Sequence, residues 1–375
     1  MSLVIGLLGN KNNSDTSLKW QGIEDGLAVL GHKCYYLDAF ETTEEINNAR
    51  INMLFTINKQ GMDKWKHLLE LPIPFVMWST GFSVDCIELI QSYRSRINFV
   101  VLSDSGDFLN YIRYRFPEIK QSVFYDVFET FYSKDKEENK VYDVSYIGDI
   151  SDIRSIKNEL KQNLSNEAYQ IMHDIVTLML RNSEMTLWEA YRYYSLIYGY
   201  DNRDHELFID LYTKLSGYIT DMKKINILSK LKGQRVHIWG DPLWKKYLPS
   251  ELKYMGDISS DQKDEIIRKS KIVLNIDDSE YVHSLNPYVL KIMSNKTLPL
   301  TTYNIHMQRE FPQKDYDIYY SLMNNDHLKL KMNDYLDNPE KILTMTEEIY
   351  DHVSLKFTWQ ERMKKFETMF VAGSK

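Results

Sequence analysis

Ser270-Lys271-Ile272-Val273-Leu274-Asn275-Ile276, followed after a polar loop by Asn286-Pro287-Tyr288-Val289-Leu290-Lys291-Ile292-Met293, decides how the rest of the chain is read. The short apolar run Lys271 to Ile276 has the form of a parallel strand buried on both faces. Asn286-Pro287 marks a helix start. The asparagine side chain can accept a free backbone N–H, and proline is tolerated at the first helical position because its missing N–H has no partner there anyway. Val289, Ile292 and Met293 then share a buried face, while Tyr288 and Lys291, three apart, share another. A strand feeding a capped helix is part of a βαβ unit, which implies a right-handed crossover and a sheet covered on both sides.

The same rhythm extends in both directions. Strands are expected at Tyr142 to Asp149, Val236 to Trp239 (ending in Gly240-Asp241), Lys253 to Gly256 and Leu298 to Thr301. Between about 153 and 231 the pattern is helical, an insertion after the first of these strands. Upstream, Leu3 to Leu8 ends at Gly9-Asn10. A helical stretch carrying Leu18, Ile23, Leu27 and Leu30 stops at Gly31-His32, and Cys34 to Leu37 follows as a strand. Further strands are expected at Ile51 to Ile57, Phe75 to Trp78 and Phe99 to Leu102. A mixed-charge stretch, Ser133 to Lys140, separates the halves. The expectation is an α/β chain of two doubly wound, Rossmann-like domains: 1–140, 141–350 with its helical insertion, and a helix at 351–375 packing back toward the first.

Composition narrows the function classes. The chain has 375 residues, with 46 Lys and Arg against 53 Asp and Glu, a net charge of −7. No block of basic residues is dense enough for a nucleic-acid surface, so no nucleic-acid partner is expected. Two cysteines, Cys34 and Cys86, make neither a metal cluster nor a disulfide framework, and Cys34 reads as a buried free thiol. No signal peptide is recognisable, and no apolar run approaches the ~20 residues that span a bilayer, so a cytoplasmic protein without a transmembrane segment is expected. Neither G-x-G-x-x-G nor a P-loop occurs, which weighs against dinucleotide or P-loop nucleotide chemistry.

Open α/β sheets bind ligands beyond the carboxyl ends of their strands. Asn10, Asn58, Ser79, Thr80, Gly81, Ser103 and Asp104 fall there in the first half. In the second, Gly148 ends a strand where a missing Cβ lets backbone N–H groups approach a phosphate. Arg154 offers a forked cation to a diphosphate, and the helix opening at Asn286-Pro287 offers free N–H groups and the positive end of its dipole. His283, just before that helix, can orient a phosphate or a sugar hydroxyl. Asp277-Asp278 reads as an exposed polar loop rather than a metal site.

Three segments recur in a telling order: Asp143-Val144-Ser145-Tyr146-Ile147-Gly148 with Arg154; Val236-His237-Ile238-Trp239-Gly240-Asp241-Pro242-Leu243-Trp244 with Tyr254-Met255-Gly256-Asp257; and the stretch quoted first. Phe357-Thr358-Trp359-Gln360-Glu361-Arg362 closes the series. From about 141 to 369 this resembles the CgeB-like glycosyltransferases, which implies the GT-B architecture. It also implies transfer of a sugar from a nucleotide-sugar donor to a hydroxyl-bearing acceptor, without a metal or other cofactor. On that resemblance the donor sits at Gly148, Asp149, Arg154, Gly240, Asp241, Trp244, His283, Asn286, Pro287, Tyr288 and Lys291. The acceptor faces Asn10, Ser79, Thr80 and Asp104, and no catalytic residue is assigned.

The chain departs from the family at one point. Where the relatives have Arg-x-x-Glu, it has Tyr288-Val289-Leu290-Lys291, and Lys296 replaces a glycine. The family glutamate is expected to accept hydrogen bonds from ribose hydroxyls. Lysine has three donors and no acceptor. Two readings follow: Lys291 pairs with a phosphate or acidic sugar and shifts donor choice, or the fold serves as a carbohydrate- or protein-binding module without catalysis.

Overall fold

A computed structural model describes residues 2–9, 16–40, 43–96, 98–124, 139–182, 184–199 and 205–371. Of these, the residues within 1–129 and 355–375 form one compact unit, and those within 130–354 form a second. Asn10 and most of the charged stretch 133–140 lie outside the described residues.

The first unit is built on β1 (Val4–Leu7), β2 (Lys33–Tyr36), β3 (Met53–Ile57), β4 (Phe75–Ser79), β5 (Phe99–Ser103) and β6 (Lys120–Val123), in the order β2-β1-β3-β4-β5-β6. Every residue of β3, β4 and β5 is buried, as expected of central strands covered on both faces. Helices α1 (Ser17–Val29), α2 (Val84–Tyr93) and α3 (Gly106–Arg115) flank the sheet. Ser83 and Ser105 cap α2 and α3, each side chain accepting a backbone N–H of the first turn.

The second unit has β7 (Tyr142–Ile147), β8 (Val236–Trp239), β9 (Lys253–Gly256), β10 (Ser270–Asn275), β11 (Leu298–Thr302) and β12 (Tyr319–Tyr320), in the order β12-β11-β10-β7-β8-β9. Strand pairs in both sheets are parallel. The chain enters at β7, moves outward through β8 and β9, then crosses back to β10. The order therefore reverses between β7 and β10.

Between β7 and β8 lie α4 (Ile153–Asn163), α5 (Asn166–Met179), α6 (Leu187–Ile197) and α7 (His205–Ser229). Further helices include α8 (Ser260–Arg268), α9 (Pro287–Ser294), α10 (Ile305–Glu310), α11 (Asn325–Asp337), α12 (Pro339–Lys356) and α13 (Trp359–Val371). No helix among the described residues is long and apolar enough to cross a membrane.

Helix α13 completes the core of the first unit. Trp359 stands 6.1 Å from Trp78, and Phe366 lies 5.7 Å from Phe55, ring centroid to ring centroid. Gly22 and Gly26 of α1 make room for it: a Cβ on Gly22 would lie 2.1 Å from Trp359 Nε1.

Three details differ from the sequence reading. Strands β6 and β12 were not anticipated, since Lys120-Gln121-Ser122-Val123 is half polar and β12 has only two residues. Cys34 is partly rather than fully buried; both cysteines are free thiols. Asp277, expected in an exposed loop, is only 7% exposed.

Candidate functional site

The reversal of strand order between β7 and β10 opens a crevice at their carboxyl ends, the usual place for a ligand in such a sheet. Five of the residues singled out from sequence meet at the β7–β8 edge. Trp244 Nε1 donates to Gly148 O at 2.7 Å, and Asp241 N donates to Asp149 Oδ1 at 3.2 Å. Gly240 has φ +128°, and a Cβ there would lie 2.3 Å from Gly148 O. The N–H of Gly148 itself donates to Trp239 O at 3.1 Å, and a Cβ there would lie 2.7 Å from the Tyr146 hydroxyl.

Beside this edge is a recess of about 350 Å³ between the loop after β7, helix α7 and the loop after β10. Its lining holds four carboxylates, Asp149, Asp221, Asp278 and Glu280, against one lysine, Lys224. Ser151, Ser216 and Thr220 add hydroxyls. Asp221 is fixed on both oxygens, accepting Ser151 N–H at 2.9 Å and Lys224 Nζ at 3.2 Å. Such a lining is rich in acceptors and repels anions, which suits hydroxyl groups better than phosphate.

The start of α9 is held by a buried polar hub. Asn286 Oδ1 accepts Tyr288 N–H at 2.9 Å, while its Nδ2 donates to Asp277 Oδ1 at 3.0 Å. Asn275 Nδ2 donates to Asp277 Oδ1 at 2.6 Å and to Thr301 Oγ1 at 2.8 Å. Asp277 Oδ2 is buried with no hydrogen-bond partner. Burial pushes the Asp277 carboxyl above its ordinary value, and the bonds from Asn286, Asn275 and Thr302 oppose the shift.

Tyr288 and Lys291 both turn toward their surroundings in the protein. Tyr288 packs against Ile147, Val273 and Ile292, with its hydroxyl buried and unpartnered. Lys291 Nζ lies 2.6 Å from Asp264 Oδ1 of α8. The charge of Lys291 is thus met by this chain's own carboxylate. Lys296 sits at φ +51°, a conformation that favours glycine, with its ammonium 5.3 Å from the centre of the Tyr350 ring.

Arg154 is exposed in the first turn of α4, its N–H bound to the capping Asp152. His283 Nε2 is 2.8 Å from Glu184 O. In the first unit, Ser79, Thr80 and Asp104 are drawn together at the ends of β4 and β5. Thr80 N donates to Asn58 Oδ1 at 2.9 Å, and Gly81 N donates to Asp104 Oδ1 at 2.8 Å. Asp104 is 3% exposed; burial raises its pKa against the Gly81 bond and the nearby Lys19. Sequence reading missed Asp221, Lys224 and Asp264. They lie on helices without a motif and reach the site only through tertiary packing.

Comparison with known proteins bears on this geometry. Residues 223–368 match the model of a family described as glycosyl transferase-like. No curated protein sequence matches the chain. Among solved structures, a β-glucosyltransferase described as a DNA-modifying enzyme, studied with and without UDP-glucose, aligns with a TM-score of 0.52 at 14% identity, over 98% of this chain and 99% of that one. T4 phage BGT bound to its UDP-glucose substrate gives 0.53 at 13% identity, over 98% and 99%. Sucrose-phosphate synthase from Thermosynechococcus elongatus gives 0.53 at 9% identity, over 99% and 100%. At these identities the likeness is one of fold: two parallel six-stranded sheets with flanking helices, the GT-B type.

Proposed function

We propose that the chain is a glycosyltransferase that moves a sugar from a nucleotide-sugar donor to a hydroxyl-bearing acceptor, of the CgeB-like kind, without a protein-bound metal. The observation that carries this reading is where the glycosyl transferase-like match falls. Residues 223–368 include β8 to β11, the loop after β10 and the capped start of α9, the elements around the strand-order reversal. The acceptor-rich recess beside them supports a polyhydroxylated ligand.

In this reading the donor lies along the carboxyl edge of the second sheet, with its sugar hydroxyls at the recess. Asn286 and Asp277 hold the start of α9 in place. Ser79, Thr80 and Asp104 belong to the acceptor side. The net charge of −7 weighs against a nucleic-acid acceptor, and a glycan, protein or small-molecule acceptor in the cytoplasm is the reading proposed instead.

One observation favours a second reading, a binding module without catalysis: Lys291, which stands where the resemblance expects a ribose-binding glutamate, is paired with Asp264. Thermal denaturation with a panel of nucleotides and nucleotide sugars separates the two. A donor at 100 times its dissociation constant stabilises the native state by about 2.7 kcal/mol. Stabilisation by one nucleotide sugar, with slow release of free nucleotide, is the expected result. A flat response across the panel would leave the binding-module reading.

A further inference from the structure

One buried oxygen beside the start of α9 is left over when the hydrogen bonds of the polar hub are assigned. Asp277 is 7% exposed. Its Oδ1 accepts both amide donors, Asn275 Nδ2 at 2.6 Å and Asn286 Nδ2 at 3.0 Å, and its own N–H donates to Thr302 Oγ1 at 3.2 Å. Oδ2 is buried with no hydrogen-bond partner. A carboxyl oxygen in that state has lost its hydration without compensation, and native structures rarely leave one bare.

Asp277 also lines a cavity of about 10 Å³, close to what one water needs. Lys223 of α7, Val282 of the loop after β10, Thr302 at the end of β11 and Asn304 just beyond it share the lining, and each is buried. The amide of Asn304 is fully engaged: its Nδ2 donates to Tyr281 O and Ser284 O, and its Oδ1 accepts the N–H groups of His306 and Met307. Thr302 still has a hydroxyl proton to give while it accepts the Asp277 N–H.

We infer that this cavity is a binding site for one internal water, hydrogen-bonded to Asp277 Oδ2 and to the Thr302 hydroxyl. Burial raises the pKa of the Asp277 carboxyl, so the group must be served in both protonation states. A water can donate to the carboxylate and accept from the acid, which a fixed donor cannot do. The ammonium of Lys223 in the same wall disfavours a metal cation there. Such a water is present whatever the chain transfers. It ties the loop after β10, which brings Asp278 and Glu280 to the recess, to the end of β11.

A high-resolution crystal structure of the wild type tests this directly, and oxygen-17 relaxation dispersion tests it in solution on the wild type and Val282→Ile. The variant adds one methyl group at the cavity wall, and a thermal melt checks that it folds. The expected results are an ordered oxygen within about 3 Å of Asp277 Oδ2, and one long-lived water fewer in the variant. A well-ordered Asp277 with no density beside Oδ2 would overturn the site, as would a peak with the shorter contacts of a bound cation. An unchanged number of long-lived waters in folded Val282→Ile would overturn it too, whatever the crystal shows.

Discussion

Lys291 of α9 and Asp264 of α8 form a partly exposed ion pair. The ammonium stands 2.6 Å from the carboxylate, with side chains 23% and 35% exposed, so water screens the pair in part. Lys291→Ala is expected to cost about 0.5–1 kcal/mol in chemical denaturation. Lys291→Glu costs more because it sets two carboxylates face to face, and the exchanged pair Lys291→Glu with Asp264→Lys recovers most of the loss. Additive effects in that double-mutant cycle would show that the pair does not interact.

Asp277 gives a residue-scale prediction of opposite character. Its folded pKa lies above the unfolded value of 3.8, so between the two the native state holds more protons than the unfolded state. Its contribution to stability therefore falls as pH rises through that window. Asp277→Asn cannot titrate. Relative to the wild type, the variant should gain stability as pH is raised from 4 to 7 in parallel urea titrations; an unchanging difference would contradict this.

At the scale of elements, α7 matters twice: it packs on α4, α5 and α6 and walls the recess. Gly217 lies within this helix and lines the recess, and nothing stands within 4 Å of a Cβ placed there. Gly217→Ala is expected to stabilise by about 0.5–1 kcal/mol, because the unfolded chain loses freedom and the helix gains a better residue. Gly217→Leu puts bulk beside the recess. It should weaken binding of the nucleotide sugar without weakening binding of the nucleotide alone, as calorimetry on both ligands would show. Equal loss for both would place the sugar elsewhere.

At the scale of the whole chain, the first unit is assembled from residues more than 280 positions apart, since α13 packs on α1 and against the β3 and β4 side chains Phe55 and Trp78. Gly22→Ala drives a methyl group to 2.1 Å from Trp359 Nε1. The expected cost is about 1–3 kcal/mol, with faster hydrogen exchange in both α1 and α13. A variant as stable as the wild type would mean that the two helices separate without loss.

The sequence by itself determined the alternation of strands and helices. Short Val, Ile, Leu and Phe runs such as Phe99 to Leu102 between turn signals read as strands buried on both faces, and Asn286-Pro287 reads as a helix start. It also marked the strand ends where polar residues gather, because that follows from chain direction. The tertiary structure alone decided what those residues do. Gly148 spends its N–H on β8, and Lys291 spends its charge on α8. Asp277 becomes a buried hub, and His306 comes up beside His283. The physical reason is one of range. Periodicity and capping act over a few residues and leave their record in local sequence. Ion pairs, burial and pKa shifts depend on partners tens or hundreds of residues away, which only the packed fold brings within reach.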